Sequence, residues 1–477
     1  MHEEDHVNTE LFAGVARADI TPPVGIAQPN WGAQLHERAA GIDLEMWATA
    51  LALKSGDETI VIVDVDISYL HPELATKVLA AIQQLTKLPL SNIRISYTHT
   101  HSGPATTLGR GGWTNEGMEM VGPYSESLVP KIAGAAWQAI GALQPARIKA
   151  GIGHSEIAVN RRFHRPEDGV VVVGHNYEGA VDHDVTVLRI DAIDGSPIAA
   201  VVGYACHPIT VGPDNDLITP DYPGVVKRVV EAATGATTLF LQGAAGNIGP
   251  IRGCARNGVV EYKLLGQRLG LAAATAWSEI EPIPGEYTYI GTLESGAPLG
   301  IFVDQPGEEP DRTIRVGVRR VELPHREYET PERLQAAYEA NVAKLMELRE
   351  TNGDADEIRR VTMECKRTSM RARLAHEVTE SRSREWELQA FTIGDDIALI
   401  CSPGEPFIEM GLAIKDASPY ETTFYGGYSN VGAAYLPWAN AYPIGGYEIE
   451  VTPFAPEASQ IFTDAAIALL NDMKTAG

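Results

Sequence analysis

The chain predicts an α/β fold, with mixed β-sheets flanked by helices and a peripheral charged helical hairpin. Three observations carry this. An apolar run over residues 59–67, a helical apolar period over 72–85 and a β-prone run over 93–97 follow one another, and strand, helix, strand order favours parallel pairing in a layered sheet. Several apolar runs end beside Pro or Gly turns that carry His, Glu or Tyr, which places chemistry-bearing side chains at strand ends. From Thr330 onward the composition shifts to long charged segments that read as helices.

In order, residues 14–25 form a short β segment broken by Pro22 and Pro23, and 47–53 with 59–67 form a hairpin through Ser55-Gly56-Asp57. Asp64 and Asp66 alternate with Val in the second of these strands. An acid in so apolar a run either supports a site through a neighbour or faces water from an edge. A second amphipathic helix spans 124–141. Asn160-Arg161-Arg162 then falls in a loop, where two arginines clamp a carboxylate or carbonyl, or else make surface ion pairs. A helix from about Pro223 to Ala233 follows Asp221-Tyr222. The strand 237–241 enters the small-residue turn Gln242-Gly243-Ala244-Ala245-Gly246-Asn247, whose N–H groups suit an oxyanion; the Lys-Ser/Thr ending of a phosphate loop is missing.

Residues 259–277 are helical and 287–321 β-rich. Thr330 caps a charged helix with Pro331 in its first turn, ended by Asn352-Gly353, and 355–383 pairs with it. This makes 325–385 an inserted helical layer or lid on one catalytic-sized domain, 1–477. Glu405 precedes a helix over 407–416, and Tyr435 and Tyr447 flank or occupy a glycine-rich stretch, 426–446.

Hydrophobic residues make up 44% and charged ones 21%, enough apolar content for a packed core. A net charge of -25 argues against nucleic acid or an anionic membrane surface as partner. No run of about eighteen apolar residues occurs and the first ten residues are acidic, so neither a transmembrane helix nor a secretory signal is expected. Cys206, Cys254, Cys365 and Cys401 show no paired spacing, which fits a reducing compartment; the expectation is a cytoplasmic protein, with a homo-oligomer left open.

The chemistry concentrates at Ser96 to Pro104, where His99 and His101 end the run 93–97. On a strand, residues i and i+2 share a face, so both imidazoles can present to one site at the mouth of the sheet. Similar placements recur at Cys206-His207-Pro208, at Pro403-Gly404-Glu405-Pro406 and at Tyr435-Leu436-Pro437. Two His, one Glu and one Tyr form a set that zinc accepts, with a position left for water. His154 and His175 also lie near apolar runs but not against a Pro turn, and rank lower.

Taken in order, Ala18-Asp19-Ile20-Thr21-Pro22-Pro23, Thr98-His99-Thr100-His101-Ser102-Gly103-Pro104, Asn160-Arg161-Arg162, Cys206-His207-Pro208, Asp221-Tyr222-Pro223-Gly224, Pro403-Gly404-Glu405 and Gly445-Gly446-Tyr447-Glu448 resemble the neutral/alkaline non-lysosomal ceramidase family. The resemblance implies a zinc hydrolase of the amide bond in N-acyl sphingoid bases. It implies His99, His207, Glu405 and Tyr435 as zinc ligands, His101 and Tyr447 facing the substrate carbonyl, and Arg161 (or Arg162) as a catalytic residue lining the same pocket. Tyr447 follows Tyr435 by twelve residues, the separation of the family's pair. Two departures stand out. Gly249 occupies the place of the family's serine in Gly246-Asn247-Ile248-Gly249-Pro250, and the chain ends thirty residues after Tyr447, where family members carry an immunoglobulin-like domain.

The resulting expectation is a zinc-dependent amidohydrolase acting on a small or lipid-like N-acyl amide, with His101 also the candidate proton carrier for the leaving amine. An esterase or lactonase would use the same site. A non-catalytic binding protein that keeps the fold is the contrasting reading, and Gly249 favours it.

Overall fold

The computed structural model describes residues 10–476 apart from 32, 35, 108–115, 254–257, 284, 308 and 433; the start of the acidic leader and Cys254 therefore lie outside the described residues. The main sheet has eight strands in the order Thr237–Gln242, Pro197–Tyr204, Asp184–Ala192, Gln144–His154, Leu11–Asp19, Trp47–Ser55, Glu58–Val65 and Ile93–Tyr97. Pairing is mixed. The outermost pairs at each end are parallel and the inner ones antiparallel.

Alternation assigns the faces. In Glu58–Val65, Ile60 and Ile62 point towards a second, four-stranded sheet, while Val61, Val63 and Val65 point towards helices. The second sheet runs Ile314–Pro324, Ser383–Ile393, Ile397–Cys401, Thr422–Gly426, and its Ile314, Phe391, Ile393, Leu399 and Phe424 close the core between the sheets. Helices Pro72–Thr86, Val121–Gly141, Asp221–Thr234 and Gly258–Glu279 join the other face of the main sheet through residues such as Val78, Leu128, Val226 and Leu269. Helices Ile408–Asp416 and Ala458–Thr475 pack on the second sheet. Among the described residues, no helix is long and apolar enough to cross a membrane.

The two ends of the main sheet are drawn together. The Phe240 amide donates to the Asp64 carboxylate at 3.0 Å, and Gln242 Nε2 donates to the Thr98 carbonyl at 3.4 Å. Lys227 reaches in from its helix to Asp64 and Asp66, at 2.9 and 2.7 Å. Neither acid faces water, as an edge position would require; both are fully buried and take one ammonium between them. Because the sheet curls this way, the chain leaving Tyr97 and the chain leaving Tyr204 emerge side by side.

The charged hairpin is present as helices Pro331–Glu350 and Ala355–Glu380, inserted between two strands that are themselves antiparallel neighbours. Asn160, Arg161 and Arg162 do not lie in a loop. They belong to the strand Ala158–His164, paired with Val171–Asn176 and Ile248–Pro250, and all three are buried. Polar residues at consecutive buried positions gave no period to read, since their partner Glu448 is distant in sequence.

Candidate metal centre

His99, His101 and His207 converge so that one ligand atom from each lies within 4.8 Å of the others. Strand pleat is not what aligns the first two. The strand ends at Tyr97, and His99 adopts a left-handed conformation, φ 67°, uncommon for a residue with a side chain. In that conformation the His99 amide donates to the Ile67 carbonyl at 3.0 Å, and its ring is turned inward. The rings are therefore not both at the mouth: His99 and His207 are buried and His101 is half-buried.

Each imidazole is tethered by the same kind of bond. His99 Nδ1 donates to the Ser68 carbonyl at 2.8 Å, His101 Nδ1 to Asn30 at 2.9 Å and His207 Nδ1 to Ala245 at 3.0 Å. With the proton committed to Nδ1, each ring has a lone pair on Nε2. The Nε2 atoms of His101 and His207 are buried and have no protein hydrogen-bond partner, a costly arrangement that a cation would relieve. Glu405 Oε2 lies 3.6 Å from His99 Nε2 and 3.7 Å from His207 Nε2. Neutral imidazole nitrogens and a carboxylate fit a divalent ion of the zinc type, and a ring left off the ion keeps its Nε2 for a proton. Burial holds His99 and His207 well below the usual histidine range and His101 at about 4, so all three are in the basic form that binds a cation.

Glu405 and Tyr435 are brought in by a two-strand parallel pair, Glu405–Pro406 with Tyr435–Leu436. The Tyr435 hydroxyl accepts from Arg161 Nη2 at 3.1 Å, and its ring meets that of Tyr447 at 5.7 Å, edge to face. Burial raises the Tyr435 phenol above its ordinary value, and Glu405 adds to this. Burial lowers the Arg161 guanidinium, but Tyr435, Glu448 and Glu405 more than offset that and hold it above its ordinary value. Tyr447, on the short helix Tyr447–Glu450, is 37% exposed and stands at the rim. His154 is exposed and His175 half-buried; neither belongs to this cluster.

The alternative of surface ion pairs for Arg161 and Arg162 is set aside by their burial on Glu448, at 3.0 and 2.8 Å. The small-residue turn after Gln242 serves the site differently from an anion cradle. Its Ala245 carbonyl holds His207, and the Gly246 amide donates to Pro406, where an added Cβ would meet the Glu405 carbonyl oxygen at 2.5 Å. Glycine lets the loops bearing His207 and Glu405 close on each other. Gly249 sits beside Arg161, with open van der Waals spacing of 3.5 Å to the nearest atom from a built Cβ.

Sequence reasoning missed Tyr428, whose ring packs on His99 at 4.4 Å and whose hydroxyl lies 3.3 Å from His207 Nδ1. It also missed Trp31, 5.4 Å from the His101 ring, and the carbonyls of Asn30 and Ser68. Tyr428 ends an apolar run beside glycines, the same signal that singled out the histidines. Backbone carbonyls leave no mark in a sequence.

Residues 12–249 match the sequence profile described as neutral/alkaline non-lysosomal ceramidase, N-terminal. The neutral ceramidase of Pseudomonas aeruginosa is 26% identical over 256 residues, which is 50% of this chain and 36% of that protein. Neutral ceramidase A of Dictyostelium discoideum is 26% identical over 255 residues, 50% of this chain and 34% of that protein. The alignments thus span about a third of the length of these relatives. The crystal structure of the Pseudomonas aeruginosa neutral ceramidase superposes with a TM-score of 0.64 at 21% identity, covering 97% of this chain and 75% of that one. By this profile match and these relatives, with the shared fold in agreement, the chain belongs to the neutral/alkaline non-lysosomal ceramidase family.

Proposed function

We propose that the protein is a zinc-dependent hydrolase of an amide bond in an N-acyl substrate, small or lipid-like. The observation that carries this is the convergence of three Nδ1-tethered imidazoles on one point beside Glu405. In this reading His99, His207, Glu405 and Tyr435 hold the ion, His101 and Tyr447 face the scissile carbonyl, and Arg161 lines the pocket beside them. When bound, zinc supplies a Lewis acid that polarises a carbonyl and brings the pKa of water from about 15.7 to about 7.

The chain's own residues supply the rest. Tyr447 at the rim offers a phenolic donor to the oxygen that gains charge, a contact worth about 3 to 4 kcal/mol in comparable oxyanion sites. Neutral His101, its Nδ1 fixed on Asn30, offers Nε2 as the proton acceptor that later passes the proton to the departing amine. Arg161 holds the Tyr435 hydroxyl by donating to it. Trp31 and Tyr428 wall the imidazoles and limit the water that reaches them.

The deciding experiment strips metal from the purified protein, restores zinc, and follows hydrolysis of matched N-acyl amide and ester substrates of several chain lengths. Zinc-dependent amide cleavage supports the proposal. Cleavage of esters alone favours the esterase or lactonase reading. An inert protein that still takes up zinc favours the binding-protein reading that Gly249 suggests. A cytoplasmic location is part of the same proposal. Cys206, Cys365 and Cys401 are buried free thiols, and fractionation of the native host checks it.

A further inference from the structure

Beside the imidazoles lies a cluster of two guanidiniums and one carboxylate, closed off from solvent. Glu448, 2% exposed, accepts from Arg161 Nε on Oε1 at 3.0 Å and from Arg162 Nη1 on Oε2 at 2.8 Å. Arg162 Nη2 donates onward to the Gly445 carbonyl, which ties the glycine turn before Tyr447 to the strand Ala158–His164. A guanidinium is planar, so fixing Nε on Glu448 also fixes where its other nitrogens point. Arg161 Nη2 is then directed at the Tyr435 hydroxyl, at 3.1 Å.

The charges are as telling as the geometry. Glu448 is the carboxylate that both arginines share, while Arg161 also lies in the field of Glu405 and Arg162 in that of Glu409. Removing Glu448 adds one net positive charge beside the cation's donors, in surroundings where charges are poorly screened.

We propose that Glu448 is a positioning residue of the metal centre, holding Arg161 on Tyr435 and cancelling one arginine charge so that the adjoining donors can accept a divalent cation. This rests on the zinc reading above. No substrate or metal contact is assigned to Glu448 itself.

Zinc titration of the metal-stripped protein, by calorimetry or chelator competition, tests it on wild type, Glu448→Gln and the double variant Arg162→Gln/Glu448→Gln. Glu448→Gln is expected to bind zinc about 10- to 100-fold more weakly, the range seen when supporting partners of metal ligands are lost. The double variant restores the charge balance of the native cluster but not the hold on Arg161, and is expected to regain at least about threefold of the lost affinity without reaching wild type. A merely structural role predicts the opposite, a double variant at least as weak as the single one.

Thermal melts establish that each variant folds cooperatively. Should Glu448→Gln unfold, Glu448→Asp, which keeps the charge on a shorter arm, is expected to bind zinc and to lose less than tenfold in affinity. Wild-type affinity in Glu448→Gln, or no recovery in the double variant, overturns the inference and leaves the hydrolase reading standing. A wild type that takes up no zinc refutes that reading, and this inference falls with it.

Discussion

Glu405 and Tyr435 are register partners in a parallel pair only two residues long. Directly paired residues on adjacent strands show their side chains on one face, about 5 Å apart. The backbone thus delivers a carboxylate and a phenol together, while the histidines come from two other turns. If this assembly is the ion's cage, Glu405→Ala and His99→Ala will each purify with less than about a tenth of an equivalent of zinc after repletion. Tyr447→Phe will retain the metal and lose about 100-fold in kcat, the size of a lost oxyanion donor. Elemental analysis and steady-state kinetics on the same preparations check both.

Tyr428 supports two ligands at once, with its ring on His99 and its hydroxyl near His207 Nδ1. The Ala245 carbonyl already holds that Nδ1. Tyr428→Phe is therefore expected to weaken zinc binding less than tenfold and to leave stability nearly unchanged. Tyr428→Ala leaves a cavity beneath His99 and should cost about 3 to 5 kcal/mol in denaturant unfolding.

Lys227 is the cation shared by Asp64 and Asp66 in the seam where the main sheet curls. Lys227→Met removes it and leaves two carboxylates buried against each other. Breaking a buried pair from one side typically costs about 3 to 5 kcal/mol. The loss should be smaller in Lys227→Met/Asp64→Asn, because fewer charges are stranded. Chemical denaturation of the single and double variants measures the difference.

Asp221 is fully buried, in a left-handed conformation with φ 58°, and accepts from the amides of Val211 and Tyr222. Burial outweighs those bonds and pushes its carboxyl up from 3.8 to about 6. An acid whose pKa is raised by folding contributes stability that is fully present below pH 3.8 and lost as pH rises through about 6. At about 1.4 kcal/mol per unit, the full shift is worth about 3 kcal/mol, of which about 2 falls between pH 4 and 7. Asparagine tolerates the same backbone conformation and does not ionise. Asp221→Asn pays a constant cost for setting an amide N–H against a backbone donor. Measured against this variant, wild-type stability should fall across that window, and parallel unfolding curves at pH 4, 5.5 and 7 give the slope.

The layered α/β architecture was legible because the strands that build it alternate or run apolar, as Glu58–Val65 and Ile93–Tyr97 do, and the helices between them keep a 3.6 period. His99, His207, Glu405 and Tyr435 could be picked out because each follows such a run at a Pro or Gly turn. The left-handed turn at His99 could not, since nothing local demands it and only the tertiary bonds to Ile67 and Ser68 hold it. Arg161 and Arg162 read as loop residues because their partner Glu448 is nearly three hundred positions away. Lys227 had no visible tie to Asp64 for the same reason.

The helices Pro331–Glu350 and Ala355–Glu380 leave the second sheet at Pro324 and come back at Ser383, and those two residues are register partners. The whole excursion goes out and returns through one doorway, where a tight turn could close the same two strands. Its length can therefore drift, or its contents be exchanged, without rethreading the sheet beneath, since closing a longer loop costs little extra entropy. Yet Lys366 on its far helix reaches the carbonyls of Trp31 and Gln34, in the segment that also tethers His101. An excursion joined to the sheet at a single point is in this way also tied, through Lys366, to the segment that walls His101, so exchanging it would alter that wall of the proposed site while the strand pairing beneath stays as it is.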